Sequence, residues 1–326
     1  MENYEEILKT YQRDINCIID DVIKKQKITI FLINSQKDRN IRFRGLNNIF
    51  KQVFCVNTPI HDLIQFFQTN LIKNLLRAID DQVEKNRTNA LNIIEKYKYI
   101  NNLKIILKDK YVTLRRAQQI QNNKLQLTKQ NKIGEEIRLQ IVLILTAILK
   151  QRALDFVPIV GDFSVAVSRI LLDQYPEVKK SAAILLDECS IHLKHYIGFH
   201  GLGIVKSLAK NLEHQHSKVR KQTIQALTKF LLCEGAGTLY EHVSSCYKKM
   251  VNDKINDVRK LSYECVAELL NGFSIKNLRT YESDLVLLLL NSLNDEVQAL
   301  VEQGQKLLEE CGMKRKLLAL ELNELN

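Results

Sequence analysis

Apolar positions along this chain recur with helical spacing, and from residue 134 onward the stripes come in pairs separated by short polar turns. In 157–192, Val157, Ile159, Val160, Phe163, Val167, Ile170 and Leu171 predict one helix. Asp173-Gln-Tyr-Pro176 then breaks the pattern, and Val178, Ala182, Leu185, Leu186 and Cys189 predict a second helix. A proline suits the first turn of that helix, where a missing N–H costs nothing. The next pair uses Ile204, Leu208 and Leu212, then Val219, Ile224, Leu227, Phe230 and Leu231. A third uses Val243, Cys246, Tyr247 and Met250, then Val258, Leu261, Cys265, Leu269 and Leu270. A fourth opens with the apolar run Leu285 to Leu290, turns at Ser292-Leu-Asn-Asp295 and resumes at Leu300. Gly312 predicts the end of that helix, with Met313 to Leu322 as a short terminal cap.

The pairs share one register. Val178, Val219 and Val258 are separated by 41 and 39 residues, Leu300 follows after 42, and Ile137 precedes Val178 by 41. A fixed period of this size marks stacked helix pairs, here an all-α solenoid of the HEAT or armadillo kind with about six or seven units. Upstream the register loosens. Asp81…Asn86-Arg87 and Asp38…Ile41-Arg42 are degenerate units, and 51 residues separate Arg87 from Arg138. Residues 117–133 are polar and of low complexity, which predicts an exposed loop. The expected organisation is therefore degenerate repeats over 1–133 with a basic polar insertion near 101–133, regular repeats over 134–312, and a cap or tail over 313–326.

The turns have a common wording. Asp173 precedes Val178 and Lys179, Glu213 precedes Val219 and Arg220, Asp253 precedes Val258 and Arg259, and Asp295 opens the fourth turn. An acid near a helix N-terminus can accept orphan backbone N–H groups and meets the positive end of the helix dipole. The valine is placed to fill the seam between stacked pairs, and the following Lys or Arg can reach the acid of the adjacent repeat. These residues therefore read mainly as a structural ladder rather than as ligand contacts. The fourth turn has Val301 in the basic slot, so the ladder's cations end at Arg259.

Composition narrows the function classes. The 326 residues carry a net charge of +11, with 45% apolar residues, 3 prolines and 11 glycines, as suits a helical chain with a continuous core. Over 101–132, eight basic residues face the single acid Asp109. Lys104, Lys108, Lys110, Arg115 and Arg116 are its candidate contacts for an acidic partner. With Tyr111 as its one aromatic residue the segment lacks a stacking platform for nucleic acid, and a solvated loop explains it equally simply. No apolar run is long enough to span a membrane, and the acidic start Met1-Glu-Asn-Tyr-Glu-Glu lacks the layout of a signal peptide. Seven scattered cysteines without a Cys-x-x-Cys pair read as reduced thiols in a cytosolic protein.

Candidate chemistry is sparse. Gly198-Phe-His-Gly201-Leu-Gly203 has the look of a nucleotide loop, but no strand precedes it and no Lys-Ser/Thr follows, so it reads as a loop before a helix. His192, His195 and His200 have no Cys or carboxylate at ligand spacing. No cofactor, metal or catalytic set is assigned.

The turns Leu171-Leu-Asp173-Gln-Tyr-Pro176-Glu-Val178-Lys179-Lys180, His214-Gln-His216-Ser-Lys-Val219-Arg220 and Ser292-Leu-Asn-Asp295-Glu-Val297 resemble those of the dynein axonemal assembly factor five family. Glu135-Glu-Ile-Arg138-Leu-Gln-Ile-Val142 is similar to the family's stretch just upstream, and the resemblance covers about 134–312. It implies a cytoplasmic, non-enzymatic HEAT-repeat scaffold for preassembly of outer and inner axonemal dynein arms. Axonemal dynein chains, intermediate chains among them, and co-chaperones would be its partners. Two departures stand out: Gln174 replaces an expected proline, and family members continue through further repeats whereas this sequence stops at Asn326. Competing readings of the same fold are a tubulin-binding TOG-like array, which the absence of tryptophan disfavours, a structural protein of the axoneme itself, and a phosphatase-type scaffold subunit.

Overall fold

The computed structural model describes residues 40, 42–47, 75, 78, 79, 81, 83–97 and 134–324. The basic segment 101–132, with Lys104, Lys108, Lys110, Arg115 and Arg116, lies outside the described residues, as do Cys17 and Cys55. The described residues form helices and short 3-10 turns with no strand, an all-α helical-repeat fold. The chain divides into two compact units, 1–141 and 142–326.

In the first unit, helix α1 (Glu84–Tyr97) carries a stripe of Ala90, Leu91, Ile93 and Ile94, all fully buried. Leu46, Leu75 and Ile79 are buried with it in the same unit. Helix α2 (Glu135–Arg152) begins here, and Gln140 Nε2 donates to Asn92 Oδ1 of α1 at 2.9 Å.

The second unit is a stack of helix pairs: α3 (Val160–Leu171) with α4 (Pro176–His192), α5 (Leu202–Leu212) with α6 (Ser217–Leu231), α7 (Ser244–Met250) with α8 (Asn256–Gly272), and α9 (Ile275–Leu290) with α10 (Gln298–Glu324). The second helices stack in order, α4 on α6, α6 on α8 and α8 on α10, while α3 packs on α5. The apolar spacing explains the stack, because each helix buries one stripe against its partner and another against the next pair. Val178, Leu185, Leu186, Ile224, Leu227, Phe230, Val258 and Leu269 are fully buried. Burial of each such side chain stabilises by about 1.5–3 kcal/mol, so neighbouring pairs hold one another in place. Leu261, read as part of the third stripe, is only half-buried.

The ends of the helices depart from the expected caps. Pro176 opens α4, but the N-cap residues of α4, α6 and α8 are Tyr175, His216 and Ile255, none with a side-chain cap. The turn acid stands two residues earlier and accepts the N–H of the N-cap residue itself: Asp173 Oδ1 from Tyr175 at 2.9 Å, Asp253 Oδ1 from Ile255 at 2.9 Å. It closes an Asx turn ahead of the helix rather than satisfying the helix's own first N–H groups.

Gly312 does not end α10, which runs unbroken to Glu324. Gly235 is the one described glycine at positive φ, so no left-handed stop forms at Gly312. Strong helix formers flank it, and beyond it Arg315 Nη2 donates to Leu270 O at 2.7 Å and Lys314 Nζ to Asn271 O at 3.2 Å. These bonds tie the far half of α10 to the carbonyl end of α8, outweighing the roughly 1 kcal/mol cost of an internal glycine.

Candidate functional site: the turn ladder

The charged residues singled out by the sequence meet at the turns, and the helix register explains why. Three cations stand six residues after a turn aspartate: Arg87 after Asp81, Lys179 after Asp173 and Arg259 after Asp253. This offset places the cation about one turn into the helix, back over its own turn. Arg87 Nη1 donates to Asp81 O at 2.7 Å, and Arg259 Nη1 to Asp253 O at 2.9 Å. Arg220 does the same to His214 O at 2.8 Å and Gln215 O at 3.1 Å.

In Arg220 and Arg259 the rest of the guanidinium crosses to the next repeat. Arg220 Nε and Nη2 grip Asp253 at 2.7 and 2.8 Å. Arg259 grips Asp295 at 2.8 and 2.9 Å, and its Nη2 adds Glu296 at 3.1 Å. In the first unit Arg42 grips Asp81 at 2.6 and 3.2 Å. The Arg220–Asp253 side chains are 7% and 6% exposed, and Arg259–Asp295 8% and 2%, so both pairs are desolvated and bidentate. Such a pair costs more to break on one side than it contributes whole.

The electrostatics follow the geometry. Burial pushes the Asp253 carboxyl up, but hydrogen bonds from Arg220 and the Ile255 N–H outweigh it and hold the group below the ordinary carboxylate range. Asp81 is likewise held low by Arg42 and Val83 against its burial. At Asp295 the Arg259 bond is the leading cause of the downward shift, and Tyr263 adds a hydroxyl bond at 3.1 Å. That tyrosine, whose hydroxyl also lies 3.2 Å from Val251 O, is a ladder residue the turn wording does not reveal.

Lys179 behaves differently. Its Nζ donates to Asn211 Oδ1 at 2.7 Å, and Asn211 Nδ2 donates to Leu171 O at 2.7 Å. Glu213, the acid the sequence offers in this turn, turns outward to Lys249 at 2.7 Å. The six-residue offset identifies the residue that truly occupies the acid's place, His214. Val178, Val219 and Val258 are buried, and Val301 is half-buried where the next cation would stand.

The remaining candidates do not converge. His195 Nδ1 lies 3.0 Å from Glu234 Oε2 on the surface, and His192 Nε2 is 3.4 Å from Glu188. No group of three His, Cys, Asp or Glu placed to hold a metal occurs among the described residues. Gly198 lies in a 3-10 turn where a Cβ would run into the Glu234 carbonyl, so its role is close backbone approach between successive loops. The cysteines Cys189, Cys233, Cys246, Cys265 and Cys311 are free and buried, and burial pushes the Cys265 thiol up to about 12, which leaves it a poor nucleophile. No described helix is long and apolar enough to cross a membrane.

A family profile described as "Dynein axonemal assembly factor 5-like, TPR repeats" matches residues 32–316. Dynein axonemal assembly factor 5 of Xenopus laevis is 23% identical over 303 residues, 90% of this chain and 32% of that protein. The Homo sapiens protein of the same name is 25% identical over 182 residues, 55% of this chain and 21% of that protein. The chain thus spans about a third or less of the length of these relatives. A solved structure of an engineered protein superposes with a TM-score of 0.55 at 17% identity, covering 88% of this chain and 68% of the other. The valine interval of 39 to 41 residues is longer than the roughly 34 of a TPR and close to the roughly 40–47 of HEAT and armadillo units.

Proposed function

The chain belongs to the dynein axonemal assembly factor 5-like family, matched over residues 32–316, and on that premise we propose that it is a non-enzymatic scaffold for cytoplasmic preassembly of axonemal dynein arms. It acts by holding protein partners, axonemal dynein chains and co-chaperones, against its stacked helix pairs. The observation that carries this reading is the family match over nearly the whole chain. The geometry supports it in a second way. The buried charges at the turns, Arg220, Asp253, Arg259 and Asp295, are engaged with one another and with backbone carbonyls. In this reading Asp173, Val178, Lys179, Val219, Arg220, Asp253, Val258, Arg259 and Asp295 keep the pairs in register, and partner contacts fall on the exposed helix faces and on the basic segment around Lys104, Lys108, Lys110, Arg115 and Arg116.

Affinity capture from the cytosol of cells regrowing cilia tests the proposal. Dynein heavy or intermediate chains are expected to co-purify with the tagged chain. Their absence from the cytosolic capture, with recovery of the chain in salt-washed axonemes instead, would overturn it in favour of a structural axonemal role.

A further inference from the structure

Among the described residues, one turn of the ladder is built without a carboxylate. Asp81, Asp173, Asp253 and Asp295 each accept, through Oδ1, the N–H two residues on, at 2.8, 2.9, 2.9 and 3.0 Å. His214 stands at the same place, six residues before Arg220, and its Nδ1 takes the N–H of His216 at 3.1 Å. The imidazole therefore imitates the aspartate turn. A ring nitrogen that accepts an N–H carries no proton, so the neutral ring holds its proton on Nε2.

The surroundings of His214 are cationic. Lys179 faces it from α4, and Arg220 from α6 donates to its carbonyl at 2.8 Å. The His216 ring packs on it from the same turn, with centroids 5.2 Å apart. Of the acids nearby, Asp253 is held by Arg220 and Glu213 by Lys249, while Asp173 faces Lys179 from the preceding turn. Partial burial, then Lys179, His216 and Arg220, hold the imidazole below its usual range.

We infer that the His214 turn is an acid-sensitive joint in the stack. Protonation of Nδ1 removes the acceptor of the His216 N–H and places a third cation beside Lys179 and Arg220. The turn then opens, and the start of α6 loosens against α4. The turns of Asp81, Asp253 and Asp295 do not share this response, because hydrogen bonds from arginine and backbone N–H groups hold their carboxyls below the ordinary carboxylate range. An aspartate in this place would have closed the turn and paired with Lys179; histidine closes it only while neutral.

Two measurements on the full chain test the joint. Histidine ring NMR is expected to show His214 as the Nε2–H tautomer at pH 7.5, titrating below about 6.5. Amide hydrogen exchange between pH 7.5 and 5.5, corrected for intrinsic rates, should show a several-fold loss of protection at His216, Val219 and Arg220. His214→Asn keeps a neutral side-chain acceptor and should lose that pH response while retaining protection. His214→Asp should lose it too, which gives a second variant if the first folds poorly. An Nδ1–H tautomer, a titration at or above about 6.5, or an unchanged pH response in either folded variant would overturn the inference.

Discussion

Two adjacent rungs of the ladder differ in both members, Arg220 with Asp253 against Lys179 with His214, and are built on different principles. At Arg220–Asp253 a buried fork meets a buried carboxylate at 2.7 and 2.8 Å, and the carboxylate also closes its own turn. At Lys179 the next turn offers His214, so the ammonium goes to the neutral amide of Asn211 at 2.7 Å. The first rung balances charge with charge. The second leaves a cation solvated in part and closes the turn with an imidazole. The repeat thus tolerates loss of the acid, provided that an amide one turn earlier replaces the acceptor. The rung that results should be weaker and less sensitive to truncation.

The largest expected effect breaks the stronger rung. Asp253→Ala leaves the Arg220 guanidinium buried without its partner and frees the Ile255 N–H, which should cost about 3–5 kcal/mol in urea unfolding. Replacing both partners, Arg220→Met with Asp253→Leu, should recover part of that loss. Recovery stays incomplete because Arg220 also satisfies the His214 and Gln215 carbonyls. A loss below about 1 kcal/mol for the single variant would show that the fork carries less than its burial suggests.

Asn211→Ala tests the weaker rung. Asn211 is 1% exposed, and its removal strands the Leu171 carbonyl and leaves the Lys179 ammonium to Asp173 and water. The expected cost is about 1–3 kcal/mol by the same assay, below that of Asp253→Ala. Equal costs would erase the distinction between the rungs.

The two rungs also separate by pH. Folding holds the Asp253 and Asp295 carboxyls below their unfolded value of 3.8, so their contribution is present above that value and is lost as pH falls through the lower folded one. His214 is also held low, but from 6.5, so its contribution fades at milder acidity. Asp187 runs the other way. Burial, against the pull of Lys229, raises it to about 6, and its Oδ1 has no hydrogen-bond partner. A raised carboxyl stabilises most below its unfolded value and progressively less as pH climbs through 6. Asp187→Asn should therefore stabilise the fold at pH 7.5 by about 1 kcal/mol and lose that advantage near pH 4, read from melting curves at the two pH values.

Much of this was legible in the sequence, for physical reasons. Period and stripes predict the pairs because burial enforces helical spacing, and Val178, Val219 and Val258 are buried. The six-residue offset was also available, since Asp81 to Arg87 and Asp253 to Arg259 display it. Attention to the nearest acid, Glu213, hid the substitution at His214, because an acid beside a turn looks like the turn's acid whichever way it points. Asn211 and Tyr263 were hidden because their roles depend on which element lies opposite. The reach of α10 past Gly312 rests on Arg315 and Lys314 finding carbonyls of α8, a tertiary contact that local propensity does not encode.

The smallest expected effect would convert the weaker rung into the stronger kind. His214→Asp offers Lys179 a carboxylate at the position where Asp253 serves Arg220, and it keeps an oxygen acceptor for the His216 N–H. The gain should be modest, about 0.2–1 kcal/mol, because an ammonium makes a point contact rather than a fork and the site is partly exposed to solvent. Combination with Asn211→Ala supplies the discriminating result. If the introduced carboxylate takes over the ammonium, the cost of Asn211→Ala should shrink in the His214→Asp background, leaving mainly the stranded Leu171 carbonyl. Strict additivity would mean that Lys179 does not reach the introduced carboxylate, and that Asn211 is a primary feature of this turn rather than a replacement for the missing acid.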